Sequence, residues 1–205
     1  MINGSPKGKK SNTYKLATAF IEGLKEEQNE LVVEEIFVNK LEISPCLGCF
    51  SCWNKTPGKC VIDDDMRDVI DKLLWADITI WSFPLYYFNI PSKLKNLIDR
   101  ELPMVLPFMV KESESGSHPT RYNMEGKRNV LISTCGFYTT EGNYDSVTSM
   151  FDHLLGKNSY EKIFCSQGEL FRVPELSKRT NEYLGYVKSA GQEYIYDKIT
   201  KETRS

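Results

Sequence analysis

No stretch of the sequence supplies the roughly 18 consecutive apolar residues of a membrane span, and Met1-Ile2-Asn3-Gly4-Ser5-Pro6 lacks the apolar core of a secretory leader. Both absences point to a cytoplasmic protein. An excess of charge of one sign is missing too: 26 Lys and Arg face 28 Asp and Glu, for a formal charge of -2. Without a basic stripe, nucleic acid and anionic membrane are disfavoured as partners. Histidine is scarce: His118 and His153 are the only two, and neither has a partner suggesting a triad or a metal site. Internal repeats and a linker-like shift in composition are also absent. The 205 residues, 40% of them hydrophobic, therefore read as a single domain, 1–205, with a core of its own.

What is present alternates between two periodicities. Leu16, Ala17, Phe20, Ile21 and Leu24 share a helical face over 14–24, with cap chemistry in Ser11-Asn12-Thr13. Leu31–Val38 is a β-rich run. Asp64 or Asp65 is placed to cap a second helix bearing Met66, Val69, Ile70, Leu73 and Leu74; a metal role for Asp63-Asp64-Asp65 is the weaker reading. Ala76–Phe83 reads as a strand ended by Pro84, and Pro91–Arg100 as a helix with proline near its first turn. After an irregular insertion or loop over 103–128 come a strand at Asn129–Cys135, a helix at 144–155, a strand at Tyr160–Cys165 and an amphipathic helix at 176–200. Strands and helices in alternation predict a doubly wound parallel α/β sheet, whose ligands sit beyond the carboxyl ends of its strands.

Three loops fall at such ends. Gly4-Ser5-Pro6-Lys7-Gly8-Lys9-Lys10-Ser11-Asn12-Thr13 is a hydroxyl-rich turn leading into a helix. Backbone N–H groups, the helix dipole and the hydroxyls of Ser5, Ser11 and Thr13 suit a phosphate monoester, with Lys7 adding charge. The turn is neither a Walker loop nor the three-glycine dinucleotide fingerprint, and a capped helix after a solvated basic loop explains its composition as well. Ser82-Phe83-Pro84-Leu85-Tyr86-Tyr87-Phe88-Asn89-Ile90-Pro91 holds four aromatics, three of them between its prolines, offering apolar faces and backbone polar groups to a flat ring system; plain core packing is the alternative. Ser133-Thr134-Cys135-Gly136-Phe137-Tyr138 repeats that mix at the next strand end.

In this order, GSPKGKKSNT, SFPLYYFNIPSKLKNLIDR and STCGF resemble the flavodoxin-like NAD(P)H-dependent FMN reductases, including their iron-sulfur flavoprotein branch. The resemblance runs from Ile2 to about residue 170. It implies a flavodoxin-like, doubly wound, five-stranded parallel sheet with helices on both faces. It also implies that Ser5, Lys7, Ser11, Asn12 and Thr13 hold the FMN phosphate, that Pro84, Leu85, Tyr86, Tyr87 and Phe88 wrap the isoalloxazine, and that Thr134, Cys135, Gly136 and Phe137 line its other edge. Such proteins are commonly homodimers or homotetramers with the flavin near a subunit interface. Only Met1 and Ile2 precede the first turn, so the first strand is expected either to be a stub or to begin upstream of Met1; the cost of losing buried strand residues favours the second.

Four of the six cysteines form a C-x2-C-x2-C-x7-C run, Cys46, Cys49, Cys52 and Cys60. It is similar both to ferredoxin-type [4Fe–4S] runs and to the compact motif of iron-sulfur flavoproteins. Zinc ranks below iron, because structural zinc sites favour two separated C-x2-C pairs. A metal-free loop of thiols packed beneath Trp53 stands level with the cluster, and a Cys49–Cys60 disulfide ranks lower in a reducing compartment. Cys135 and Cys165 read as small apolar fillers.

The function expected is an FMN-dependent oxidoreductase that takes electrons from NADH or NADPH to an acceptor such as a flavin or quinone. No catalytic side chain is assigned, because the cofactor carries the chemistry. With a cluster the protein would be an iron-sulfur flavoprotein exchanging electrons with a ferredoxin-like partner. A flavodoxin-like binding domain without redox turnover is the rival from another class.

Overall fold

The structure is a computed structural model that describes residues 1–111, 116–196, 199, 200 and 203. Ten of its eleven regular elements carry the two expected periodicities: β1 (Ile2–Asn3), α1 (Asn12–Glu27), β2 (Ile36–Phe37), α3 (Met66–Trp75), β3 (Ile78–Pro84), α4 (Ser92–Asp99), β4 (Arg128–Thr134), α5 (Asp145–Leu155), β5 (Tyr160–Cys165) and α6 (Ser177–Tyr194). The remaining one, α2 (Ser51–Asn54), is a single turn inside the cysteine loop. The strands form one five-stranded sheet in the order β2-β1-β3-β4-β5, the flavodoxin-like order. β1 pairs parallel with β2 and β3, and β4 with β5 over six residue pairs from Asn129↔Tyr160 to Thr134↔Cys165. No helix among the described residues is long and apolar enough to cross a membrane.

The expected strand at 31–38 shrinks to Ile36–Phe37. The reason lies in its neighbour. β2 is at the sheet edge, and β1 offers a ladder of two residues, Ile2↔Ile36 and Asn3↔Phe37, so the β-favouring side chains before Ile36 have no strand to pair with. The last helix likewise ends at Tyr194 instead of residue 200, and residues 197 and 198 of that expectation lie outside the described ones. Within 103–128, two antiparallel bridges, Val105↔Thr120 and Val110↔Ser117, give the irregular stretch a folded-back course.

The chain packs as two compact units. One comprises Met1–Asn39, Ile80–Pro91 and Asn129–Ser205; the other comprises Lys40–Thr79 and Ser92–Arg128. In the first, Leu16, Ala17, Phe20 and Leu24 on α1 are buried, as are Val130, Leu131 and Ile132 on β4 and Val147 and Phe151 on α5. α1 and α6 meet at backbone distance. A Cβ on Gly23 would lie 1.9 Å from the Lys188 carbonyl oxygen, and one on Gly191 2.1 Å from that of Phe20, so only glycine admits this approach. In the second unit Met66, Val69 and Leu73 of α3 and Leu94, Leu97 and Ile98 of α4 are buried at helical spacing.

Candidate functional site

The phosphate turn is built at the carboxyl end of β1. Asn3 Oδ1 accepts from the Ser5 N–H at 2.9 Å, and the Gly4 N–H donates to the Ser82 carbonyl on β3 at 2.8 Å. Gly8, at φ +53°, turns the chain into α1. Ser11 is the N-cap, its Oγ accepting from the Tyr14 N–H at 3.0 Å. Asn12 and Thr13 are thereby left with first-turn N–H groups that no intrahelical carbonyl can reach. Thr13 Oγ1 and Thr134 Oγ1 share a buried 2.6 Å hydrogen bond, bringing the phosphate turn to the end of β4. Ser5, Ser11, Asn12, Thr13 and Thr134 are all buried. Lys7 stays exposed, 3.9 Å from Glu169.

Two polar atoms of this region have no hydrogen-bond partner among the described residues, the buried Asn3 Nδ2 and Ser82 Oγ. Asn3 and Ser82 are register partners on β1 and β3. A donor and a hydroxyl left idle at the carboxyl edge of a parallel sheet suit a ligand with several oxygens, since unsatisfied buried polar groups are otherwise costly.

The aromatic loops stand beside each other in the same unit. Leu85 N–H donates to the Thr134 carbonyl at 2.9 Å, and the rings of Phe88 and Phe137 stack at 5.3 Å. Tyr86 and Asn89 exchange both backbone hydrogen bonds around a two-residue turn whose central residues, Tyr87 and Phe88, have φ of +48° and +64°. Such turns normally take Asn or Gly. Two bulky side chains in the left-handed region mark stored strain, and the Ser146 hydroxyl, donating to the Phe88 carbonyl, helps to hold it. Tyr87 is 98% exposed and Tyr138 91%.

The 135–137 loop is braced by the turn after β5: Cys135 N–H donates to the Cys165 carbonyl at 2.9 Å, its own carbonyl accepts from Gly168 at 2.8 Å, and the Phe137 carbonyl accepts from Gln167 at 3.0 Å. Cys135 thus has both backbone groups engaged, while Gly136 and Phe137 remain exposed. Cys165 is buried, which pushes its thiol above the ordinary value. Sequence reading missed Arg172. Its guanidinium comes within 3.4 Å of both Asn12 Oδ1 and the Lys10 carbonyl, and 3.5 Å from Glu169. Nothing in the local sequence around Arg172 announces that return.

The four clustered cysteines lie in the second unit. Cys46 and Cys49 are exposed, Cys60 is half-buried and Cys52 is buried at the start of α2. Burial pushes the Cys52 thiol up, and the nearby Cys60, Cys46 and Cys49 sulfurs add to that, whereas hydrogen bonds from Ser51 pull the Cys49 thiol down. Each of the other three sulfurs is therefore within electrostatic reach of Cys52. Among the described residues no three Cys, His, Asp or Glu side chains are gathered closely enough to hold a metal ion. In side-chain chemistry alone the four thiols suit a metal–sulfur group. The Trp53 indole N–H donates to the Leu102 and Val105 carbonyls, and its ring lies 5.1 Å from Phe50 and 5.0 Å from His118.

Asp65, at the N-cap of α3, makes no side-chain cap bond. Its carboxylate instead accepts from the Glu42 N–H at 2.7 Å, while Asp64 Oδ1 accepts from Met66 N–H at 3.2 Å. Asp64 also pairs with Arg100, a partnership that sequence reading missed.

Compared with known proteins, residues 1–164 match the family model described as a flavodoxin-like fold. An iron-sulfur flavoprotein of Methanocaldococcus jannaschii is 34% identical over 131 residues, covering 64% of this chain and 65% of that protein. An FMN-dependent NADH:quinone oxidoreductase of Vibrio parahaemolyticus is 25% identical over 158 residues, covering 76% of this chain and 78% of that one. Among solved structures, an FMN-dependent NADH-azoreductase of Bacillus anthracis in complex with FMN superposes with a TM-score of 0.62 at 22% identity, over 92% of this chain and 95% of that one. The matches to the first iron-sulfur flavoprotein relatives span 65% and 50% of their lengths.

Proposed function

The chain belongs to the family of flavodoxin-like folds, and from that premise we propose that residues 1–205 serve as one FMN-binding domain of a cytoplasmic oxidoreductase, passing electrons from NADH or NADPH to a small-molecule or protein acceptor. The observation that carries the reading is the buried polar cradle at the sheet's carboxyl edge, where Ser5, Ser11, Asn12, Thr13 and Thr134 converge beside the idle Asn3 Nδ2 and Ser82 Oγ. FMN would supply hydride acceptance and delivery of one or two electrons at a time. In this reading Ser5, Ser11, Asn12 and Thr13 bind its phosphate through hydroxyls and the first-turn N–H groups of α1, and Lys7 leaves Glu169 to supply charge. Pro84 to Phe88 orient the ring by lying along one side, Thr134 to Phe137 line its other edge, and the two aromatic loops exclude water. Assembly as a homodimer or homotetramer would cover the exposed Tyr87 and Tyr138.

A second reading is favoured by the C-x2-C-x2-C-x7-C spacing of four free thiols and by the relatives named iron-sulfur flavoproteins. Cys46, Cys49, Cys52 and Cys60 would hold a [4Fe–4S] cluster, supplying one-electron exchange with a ferredoxin-like partner.

The test is a visible spectrum of protein purified without air, with FMN titration and iron and sulfide assays on the same sample. Flavin bands or saturable FMN uptake are expected, and their absence after added FMN would sink the FMN reading. Iron and sulfide near four per chain, the content of one such cluster, would support the second reading; flavin without iron would leave the first alone.

A further inference from the structure

The chain that follows β5 comes back to the phosphate turn and is fastened there at both ends of a short 3-10 turn, Gly168–Arg172. At its start the Gly168 N–H donates to the Cys135 carbonyl at 2.8 Å, and a Cβ on Gly168 would lie 2.8 Å from the Thr134 Cβ. Only glycine lets the turn sit this close to the end of β4. At its other end Lys15 Nζ, on α1, donates to the Phe171 carbonyl at 3.0 Å. Glu169 and Arg172 are thereby delivered to the first turn of α1.

The charges that arrive there are held loosely. Arg172 donates from Nε to Asn12 Oδ1 and from Nη2 to the Lys10 carbonyl, both at 3.4 Å. The Glu169 carboxylate stands between two cations, 3.5 Å from Arg172 Nε and 3.9 Å from Lys7 Nζ. Charge-assisted N–H···O bonds run at about 2.7–2.9 Å, so all four contacts are long. The neighbouring Lys9, by contrast, pairs with Glu35 at 3.0 Å, and the Tyr14 hydroxyl donates to the same carboxylate at 2.7 Å. Lys7 and Arg172 share one carboxylate and neither is satisfied by it.

An exposed ion pair is by itself worth little; the seat of this one gives it meaning. Asn12 is buried at the first position of α1. With its oxygen engaged by Arg172, the amide has its Nδ2 N–H groups to offer, and these are donors. The buried Asn3 Nδ2 and Ser82 Oγ, idle at the carboxyl edge of the same sheet, independently call for a ligand with several oxygens.

We propose that Arg172 is a specificity-determining residue of the flavin site: on binding, its guanidinium and Lys7 exchange Glu169 for the phosphate of FMN, so that the chain selects FMN over riboflavin, the same ring and ribityl chain without the phosphate. The inference rests on the FMN reading above. A phosphate monoester brings nearly two negative charges where Glu169 brings one, and it offers oxygens that the guanidinium fork can take in pairs. Glu169 is well exposed and returns to water at little cost.

The experiment titrates the flavin-free full chain with FMN and, separately, with riboflavin, following flavin fluorescence, for the wild type, Arg172→Gln, Arg172→Lys and Glu169→Gln. The wild type should prefer FMN. Arg172→Gln should bind FMN about tenfold more weakly and riboflavin unchanged, with the difference shrinking at high salt. Arg172→Lys, which keeps the charge and loses the fork, should fall between. Glu169→Gln should act with the opposite sign, tightening FMN about twofold or more because the competing carboxylate is gone, and leaving riboflavin unmoved. That variant keeps the test alive should Arg172→Gln fold poorly, since a merely structural ion pair would weaken both flavins when Glu169 is lost. Equal weakening of FMN and riboflavin in Arg172→Gln, or no change in either, would overturn the role of Arg172 and leave the FMN reading standing. A wild type that takes up riboflavin as tightly as FMN would do the same. A wild type that takes up neither would overturn the FMN reading and this inference with it.

Discussion

The unit carrying the phosphate turn and the unit carrying the cysteines differ in how far each has assembled its site. In the first, hydroxyls, backbone N–H groups and glycine turns already meet: Ser11 caps α1, Thr13 bonds Thr134, and the loop after β4 is braced by the turn after β5. In the second, the four thiols are not gathered, and the order resides instead in the Arg100–Asp64 pair of the same unit. A phosphate is bound by main-chain geometry, which the fold must build in any case. A metal–sulfur group is bound by side chains that the group itself pulls together, as metal binding commonly couples to local folding.

If the second unit depends on its ion pair, Arg100→Leu should have the largest effect on stability. It leaves a buried carboxylate unpaired and should cost about 3–5 kcal/mol in urea unfolding. Burial alone would raise the Asp64 carboxyl, yet Arg100 and the N–H groups of Ser44 and Met66 hold it below its ordinary 3.8. A folded value depressed in this way stabilises above the unfolded value and is lost as pH falls through the folded one. The difference between wild type and variant should therefore be full at neutral pH and close as pH drops below about 4; a gap independent of pH would break the comparison.

The first unit should be most sensitive to shape. Gly191→Ala places a methyl 2.1 Å from the Phe20 carbonyl oxygen, and overpacking of this kind should cost about 1–3 kcal/mol at all pH values. A neutral result would mean that α1 and α6 can separate freely.

The second unit also holds a buried carboxyl with an unpartnered oxygen. Burial pushes the Glu101 carboxyl from 4.5 up to about 8, and its Oε1 has no partner. The folded value lies above the unfolded one, so the stability is fully present below about pH 4.5 and is lost as pH rises toward 8. Glu101→Gln should be neutral in acid and gain about 1–2 kcal/mol near pH 8, measured by thermal melts across that window. A gain already complete at pH 4 would count against the burial argument.

The smallest effect belongs to the strained turn. Tyr87→Asn suits the left-handed backbone at φ +48° and should raise the stability of the FMN-free protein by about 0.5–1 kcal/mol. If the strain serves the ring site, the same change should weaken FMN uptake in titration; unchanged uptake would make the turn merely strained.

Periodicity and turn chemistry were legible in the sequence. α3, α4, α5, β3, β4 and β5 lie within a residue or two of their expected ends, because apolar spacing and the prolines at 84 and 91 act on neighbours in the chain. β2 was overextended, since Leu31–Val38 favours strand but a ladder needs a partner of equal length. The cap expected from Asp64 or Asp65 was only partly right, because both carboxylates turn to residues of the 42–44 segment.

The sequence by itself determined the chemistry on offer: which turn could cradle an anion, which loops could face a flat ring, and which four thiols stand at ligand spacing. Those properties are set by residue type and short separations along the chain. Only the tertiary structure decided that Arg172 returns to the phosphate turn, 160 residues from Asn12, and that Arg100 meets Asp64 across 36 residues to close the cysteine segment. Neither arginine carries a local signal, because a lone cation is common along a chain and becomes particular only through the partners that folding brings to it.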